Sequence, residues 1–200
     1  MGKIVVYTAI CGGIDKPRYD IPVFNQCKRF KNERLNAKIY KCLPHLYMPE
    51  ASITIWLDGN IQFKPEVDIA QFIKEFLGDA DIAAFRHPYR DNLYQEAAVC
   101  SESKLDDPSV IEQQVNLYQS YHFLGNRFFA ECGVLVRRNR SIVNRFNETW
   151  WAHVTAFSSR DQISFPFAAN KHSMLKIRLH KGNVRTDERF IYTQRESSRS

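Results

Sequence analysis

The chain has 200 residues, 44% of them hydrophobic and 25% charged, with five cysteines and a formal charge of +6. That balance is typical of a soluble globular protein and excludes a disordered, collagen-like or coiled-coil chain, and no apolar run approaches the ~18 residues that a membrane span needs. The cysteines (Cys11, Cys27, Cys42, Cys100, Cys132) form no CxxC pair, which argues against a disulfide framework or a zinc ribbon and leaves buried thiols as the expectation. The opening MGKIVVYTAICGG is too short in its apolar part for a signal peptide and lacks a small-residue cleavage site, so a cytosolic protein is expected.

No repeat, low-complexity tract or Pro/Gly/Ser-rich linker divides the chain, which predicts one domain over 1–195 and then a frayed polar tail at 196–200. Lys3 to Thr8 is a short β-branched run closed by Cys11-Gly12-Gly13 and reads as a first buried strand. Val23 to Asn36 has mixed polarity, a helix or a loop, and Ile53 to Leu57 is a second strand ending at Asp58-Gly59-Asn60. Pro65 to Leu77 has a helical period with Gly78 as its stop. Asp81 to Phe85 is a third strand, Pro108 to Phe123 a helix, Cys132 to Val136 a fourth strand, Ser141 to about Phe157 a helix, and Met174 to Leu179 a fifth strand. Such alternation predicts an α/β, Rossmann-like layered fold with a mostly parallel central sheet flanked by helices, whose ligand lies outside the carboxyl ends of the strands.

The residues just past each strand are therefore the candidates for chemistry. The first strand delivers Thr8, Ala9 and Ile10, then Gly12, Gly13 and Asp15, but neither GxGxxG nor GxxxxGK[ST] occurs, so Gly12-Gly13 taken alone is a plain turn. The second delivers Asp58-Gly59-Asn60. Two oxygen ligands two residues apart at a strand tip suit a hard cation such as Mg²⁺ or Mn²⁺; the competing reading is a hairpin turn, since Asp-Gly and Gly-Asn are strong turn dipeptides. The fourth strand has Glu131 before it and Arg137-Arg138-Asn139 after it. Asp161-Gln162 and His180-Lys181-Gly182 stand at a helix start and a strand end. Each is explicable alone, as a solvated charge, a helix-start residue or a loop histidine. From Lys171 to Ser200 there are eight Lys or Arg and three acids, 8 − 3 = +5, leaving +1 for the rest: a solvated tail, or part of a site for a phosphorylated ligand.

Taken in order, Thr8 to Ile10, Asp58-Gly59-Asn60, Glu131-Cys132-Gly133, Asp161-Gln162 and His180 with Gly182 resemble the pattern of GT-A fold glycosyltransferases. The longer stretches KIYKCLPHLYMPEASITIWLDGNI, FRHPYRDNLYQEA, ECGVLVRRN and SSRDQISFPF are similar to the glycosyltransferase-like domain of plant mucilage- and ceramide-related proteins, and to compact glycosyltransferases that large algal viruses encode for capsid glycans, which would work in the host cytoplasm. The resemblance implies a UDP-sugar donor, a glycan or glycoprotein acceptor, Mn²⁺ or Mg²⁺, and transfer with retention. It implies Asp58, Asn60 and His180 as metal ligands, with Asp161, Glu131 and Gln162 as catalytic residues. Thr8, Ala9, Ile10, Asp15, Lys38, Lys41, Asp58, Gly59, Lys181 and Gly182 would bind nucleotide and donor, and His87 and Arg90, with Glu96, would complete the sugar pocket. Two residues depart from the pattern: Asn60 replaces a carboxylate, and Glu131 stands where related enzymes often have Asn. A nucleotide-sugar-forming nucleotidyltransferase is the enzymatic alternative, on Gly12-Gly13 with Lys16 and Arg18 just beyond. A basic module for RNA or an acidic partner is the other; it leaves Asp58, Asp161 and His180 unexplained, so no nucleic-acid partner is expected. The chain is compatible with being one module of a longer protein.

Overall fold

The computed structural model describes residues 2–195 apart from 14, 17 and 19, so the tail expected at 196–200 lies outside the described residues. In chain order the elements are β1 (Lys3–Ala9), β2 (Val23–Phe24), α1 (Glu33–Cys42), α2 (Pro44–Tyr47), β3 (Ala51–Leu57), β4 (Ile61–Phe63), α3 (Ile69–Phe76), β5 (Ile82–Arg86), α4 (Leu93–Glu102), α5 (Pro108–Ser120), β6 (Ala130–Arg138), α6 (Ser141–Ala156), α7 (Asp161–Asn170), β7 (Ile177–His180) and β8 (Phe190–Tyr192). Side-chain oxygens set several helix starts, because they accept the amide protons that a first turn leaves unpaired. Asn32 caps α1, Asn92 caps α4 and Asp107 caps α5, where Pro108 sits at the first position. Asp68 accepts from the amides of Ala70 and Gln71, so α3 begins at Ile69 rather than at the predicted Pro65, and it stops at Gly78, whose φ is +56°.

Six strands form one sheet in the order β2-β1-β3-β6-β5-β7, parallel throughout except for β6, which runs antiparallel to both β3 and β5. This reversal matters for the site, because β6 presents its amino end at the edge where its neighbours present their carboxyl ends. Alternate side chains of the central strands feed two cores. Trp56 and Leu135 join Tyr7, Phe146, Trp150 and Phe165 on one face, under α1, α6 and α7. Ile55, Leu57, Val134 and Val136 join Phe72 and Phe76 on the other, under α3.

The Asp58-Gly59-Asn60 tip is not a hairpin. β3 pairs with β1 and β6, whereas β4 leaves the sheet and pairs antiparallel with β8, Gln62 opposite Ile191. Of the cysteines, Cys42, Cys100 and Cys132 are buried as expected, but Cys11 and Cys27 are only partly so, and all five are free. No helix among the described residues is long and apolar enough to cross a membrane.

Candidate active site

One cleft of about 700 Å³ opens where the carboxyl ends of β1 and β3 meet the amino ends of β6 and α7. Gly12 and Gly13 turn the chain away from β1 with φ of +72° and +70°, a left-handed pair that side chains would strain. Ala9, Ile10, Asp15, Asp58, Gly59, Asn60, Lys38, Lys41, Glu131, Asp161 and Gln162 all line the cleft, so eleven of the sequence-derived site residues converge on one surface.

Its floor is a buried ion cluster. Lys38 and Lys41, three residues apart on α1, face the same way, and both meet the start of α7: Lys38 Nζ is 2.5 Å from Asp161 Oδ1 and Lys41 Nζ is 2.6 Å from Asp161 Oδ2. Lys41 also reaches Asp58 Oδ1 at 3.1 Å, and the Trp56 indole donates to that same oxygen at 2.8 Å. Burial by itself would raise the Asp161 pKa, but the two ammonium groups outweigh it and hold the carboxyl well below its usual range. Burial pushes Lys38 below its ordinary value, with Asp161 offsetting part of that. The floor therefore carries a carboxylate that stays ionised.

Glu131 behaves differently. Burial first, and the Asp58 charge second, raise its pKa, with Arg185 opposing from 3.2 Å on Oε1. Its side chain folds back over Gly133, where an added Cβ would lie 3.0 Å from Oε2, and Oε2 has no hydrogen-bond partner among the described residues. The Gln162 amide donates to the Glu131 carbonyl at 2.6 Å, fastening α7 to β6. Asp15 lies against Gly59 and is held by a two-point pair with Arg195, 2.7 Å at each oxygen.

Other expected residues sit elsewhere. Thr8 is fully buried below the cleft, its amide donating to Pro22. His180 is at the end of β7, where its Nε2 lies 2.7 Å from the Phe76 carbonyl and its ring stacks on Phe76, so it does not join Asp58 and Asn60. Lys181 and Gly182 are exposed beyond it, outside the cleft lining. His87 and Arg90 do not line the cleft either. They gather round the buried Glu96: Arg90 at 2.8 Å, His87 at 3.5 Å and Arg160 at 3.6 Å, with Arg160 reaching the cleft from the residue before Asp161. Glu96→Ala is expected to cost about 3 kcal/mol, read by urea denaturation, because it strands the Arg90 and Arg160 guanidinium groups around a buried gap.

Sequence reasoning did not single out Glu33, Arg34, Trp56, Arg185, Tyr192 and Arg195 as cleft residues, all of which line it. Trp56 had a readable signal, since a strand puts residues two apart on one side and Asp58 was already in view. Arg185 and Arg195 belong to the basic C-terminal excess, which in part is cleft wall rather than solvated tail.

Residues 19–192 match the TOD1/MUCI70 glycosyltransferase-like domain family. The chain is 30% identical over 152 residues to the probable hexosyltransferase MUCI70 of Arabidopsis thaliana, covering 71% of this chain and 26% of that protein. It is 25% identical over 179 residues to the alkaline ceramidase TOD1 of the same plant, covering 84% of this chain and 38% of that protein. The chain thus spans well under half of either relative. A glycosyltransferase involved in glycosylation of the major capsid of PBCV-1 shares the fold, with a TM-score of 0.51 at 9% identity over 90% of this chain and 82% of that one. With the match running from before β2 to the end of β8, this chain belongs to the TOD1/MUCI70 glycosyltransferase-like domain family.

Proposed function

We propose that the chain is a GT-A-type transferase that moves a sugar from a UDP-sugar to a glycan or glycoprotein acceptor, with Mn²⁺ or Mg²⁺ and with retention, as a module of a longer protein. One observation carries this reading: Asp58, Asp161, Glu131, Lys38 and Lys41 converge in a single cleft at the carboxyl edge of β1 and β3, in a chain of this family. The metal fit is partial and oxygen-only. Asp58 Oδ1 is taken by Trp56 and Lys41, which leaves Oδ2; the Asn60 amide nitrogen is committed to the Thr193 carbonyl at 3.0 Å, which leaves its amide oxygen. Asp58 and Asn60 would hold the cation without His180. When bound, it supplies charge neutralisation for the departing diphosphate.

The protein's own groups account for the rest. Arg185 and Arg195 bring fixed positive charge to the cleft wall, and Lys38 and Lys41 bring it to the floor, where developing negative charge is stabilised without reorganisation. The ionised Asp161 favours positive charge growing on the transferred sugar. Glu131, its proton held more tightly than usual, suits a hydrogen bond to a sugar hydroxyl. Retention rests on the resemblance of the Asp161-Gln162 helix start.

Calorimetric titration of UDP, with GDP and CMP as controls, in Mn²⁺ and again in EDTA, tests the reading. UDP alone is expected to bind, in Mn²⁺ only, and Asp58→Ala to weaken it by on the order of a hundredfold. No nucleotide binding in Mn²⁺ would end the donor reading; UDP binding unchanged in EDTA would end the metal part.

A further inference from the structure

Arg185 and Tyr192 of the cleft wall adjoin an aromatic side chain, Tyr89, just outside the lining. The Arg185 guanidinium lies 5.1 Å from the Tyr192 ring centre and 5.8 Å from that of Tyr89, and its Nη1 reaches Glu131. Tyr89 is 66% exposed, yet it is fixed in place. Its hydroxyl accepts from Asn183 Nδ2 at 3.0 Å, its amide donates to His87 Nδ1 at 3.3 Å, and Asn183 Oδ1 in turn accepts the Arg185 amide at 3.0 Å. An aromatic ring anchored at its edge with a face open to water is a preformed apolar plate, because its ordering cost is already met. Tyr89 lies past the end of β5, and Asn183 and Arg185 lie past the end of β7, so the plate stands at the carboxyl edge, three strands along from β1. Strands about 4.8 Å apart put the end of β5 about 14 Å from the end of β1, a span of the order of an extended nucleoside diphosphate.

We propose that Tyr89, Asn183 and Arg185 form an acceptor subsite that takes the ring of a pyranoside, stacked on the exposed face of Tyr89 with its hydroxyls bonded to Asn183 and Arg185. This rests on the transferase reading for its role, though not for its chemistry. The C–H bonds on one side of a pyranose are weakly positive and fit the negative face of an aromatic ring. The ring's hydroxyls need donors and acceptors at the edge of that plate, and here a guanidinium and an amide border it. Arg185 also links the plate to Glu131 through Oε1, while Glu131 Oε2 has no partner among the described residues, so an acceptor seated on Tyr89 adjoins Glu131. Tyr121, also well exposed, serves as a contrast: its ring meets Lys171 and Phe167, neither of which lines the cleft, whereas Tyr89 meets the cleft residue Arg185.

Saturation-transfer NMR with methyl glycosides of glucose, galactose, xylose and rhamnose, with and without UDP and Mn²⁺, tests the subsite. The wild type is expected to saturate the ring protons of at least one glycoside, and Tyr89→Ala to bind it about tenfold more weakly. Tyr89→Phe keeps the plate and is expected to bind within about threefold of wild type, and Tyr121→Ala to be indifferent. Circular dichroism of the variants verifies folding. No glycoside signal in the wild type, or a signal that Tyr89→Ala leaves intact, overturns the subsite. UDP titration of the same samples reports separately: UDP binding without Tyr89-dependent glycoside binding keeps the donor reading and sinks the subsite, and the reverse result sinks the donor reading alone.

Discussion

Asp161→Asn is expected to remove nearly all transfer and a large part of the folding stability together. The carboxylate is the sole ion-pair partner of Lys38 among the described residues and one of two for Lys41, and all three side chains are largely buried. Removing one member of a buried ion cluster leaves charge without compensation, at about 3–5 kcal/mol. Loss of one preorganised electrostatic group from the cleft should lower turnover by on the order of 10²–10³. The pH dependence gives a second reading of the same residue. Because the folded-state pKa of Asp161 is depressed, its contribution is fully present above the unfolded value of about 3.9 and is lost as pH falls through the lower folded value. Urea denaturation of wild type should therefore show stability declining below about pH 4, and the variant should lack the Asp161 share of that decline. An Asn variant as stable as wild type at neutral pH would mean that the cluster is not held by charge.

Trp150→Ala ranks next, and acts from behind the site. Trp150 is fully buried, stands edge-on to Phe165 at 5.2 Å and face-on to Phe146 at 5.8 Å, and donates its indole N–H to the Asp161 carbonyl at 2.9 Å. Truncation opens a cavity beneath the start of α7, with an expected cost of about 3–5 kcal/mol. The adjacent Trp151 is only partly buried and packs edge-on to Phe30 at 5.7 Å, so Trp151→Ala should cost about 1 kcal/mol. Chemical denaturation of both variants checks the contrast. Equal losses would contradict the assignment of Trp150 to the core and to the support of Asp161.

Those two neighbours illustrate how much a sequence discloses. Helical spacing alone says that one of an adjacent pair faces inward, and the β-branched runs at 3–8, 53–57 and 132–136 announce strands without help. The direction of β6 was not legible. A strand buried on both faces has no alternation to read, and its run of apolar residues looks the same from either end. For that reason Arg137 and Arg138 looked like site-edge residues. The structure places them at the opposite edge, where Arg137 is buried against Asn147, Tyr7 and the Lys41 carbonyl, and it brings Glu131 in by the amino end instead. β4 and β8, three residues each, are too short for a periodicity argument. His180 was placed by motif order, yet the Phe76 carbonyl satisfies its nitrogen while its ring stacks on Phe76. Arg185 and Arg195 were hidden because a run of charge reads the same whether it faces water or wraps back over a cleft.

The pairing of β4 with β8 has a consequence for how the site is assembled during synthesis. Asn60 and Thr193, 133 positions apart, exchange hydrogen bonds in both directions, and Asp15 is tied to Arg195 across a still longer stretch of chain. A ribosome delivers the Asp58 loop early and the partners of Asn60 and Asp15 at least 133 residues later. The large sheet can pair from β1 through β7 beforehand, with Asp58 already held by Lys41, Trp56 and the Gly133 carbonyl, but Asn60 gains its pair with Thr193 only when residues 190–195 arrive. Contacts so distant in sequence close slowly, since the loop entropy must be overcome before any pairing rewards it. The ion cluster of the cleft floor can therefore assemble before the Asn60 and Asp15 side of the cleft is fastened.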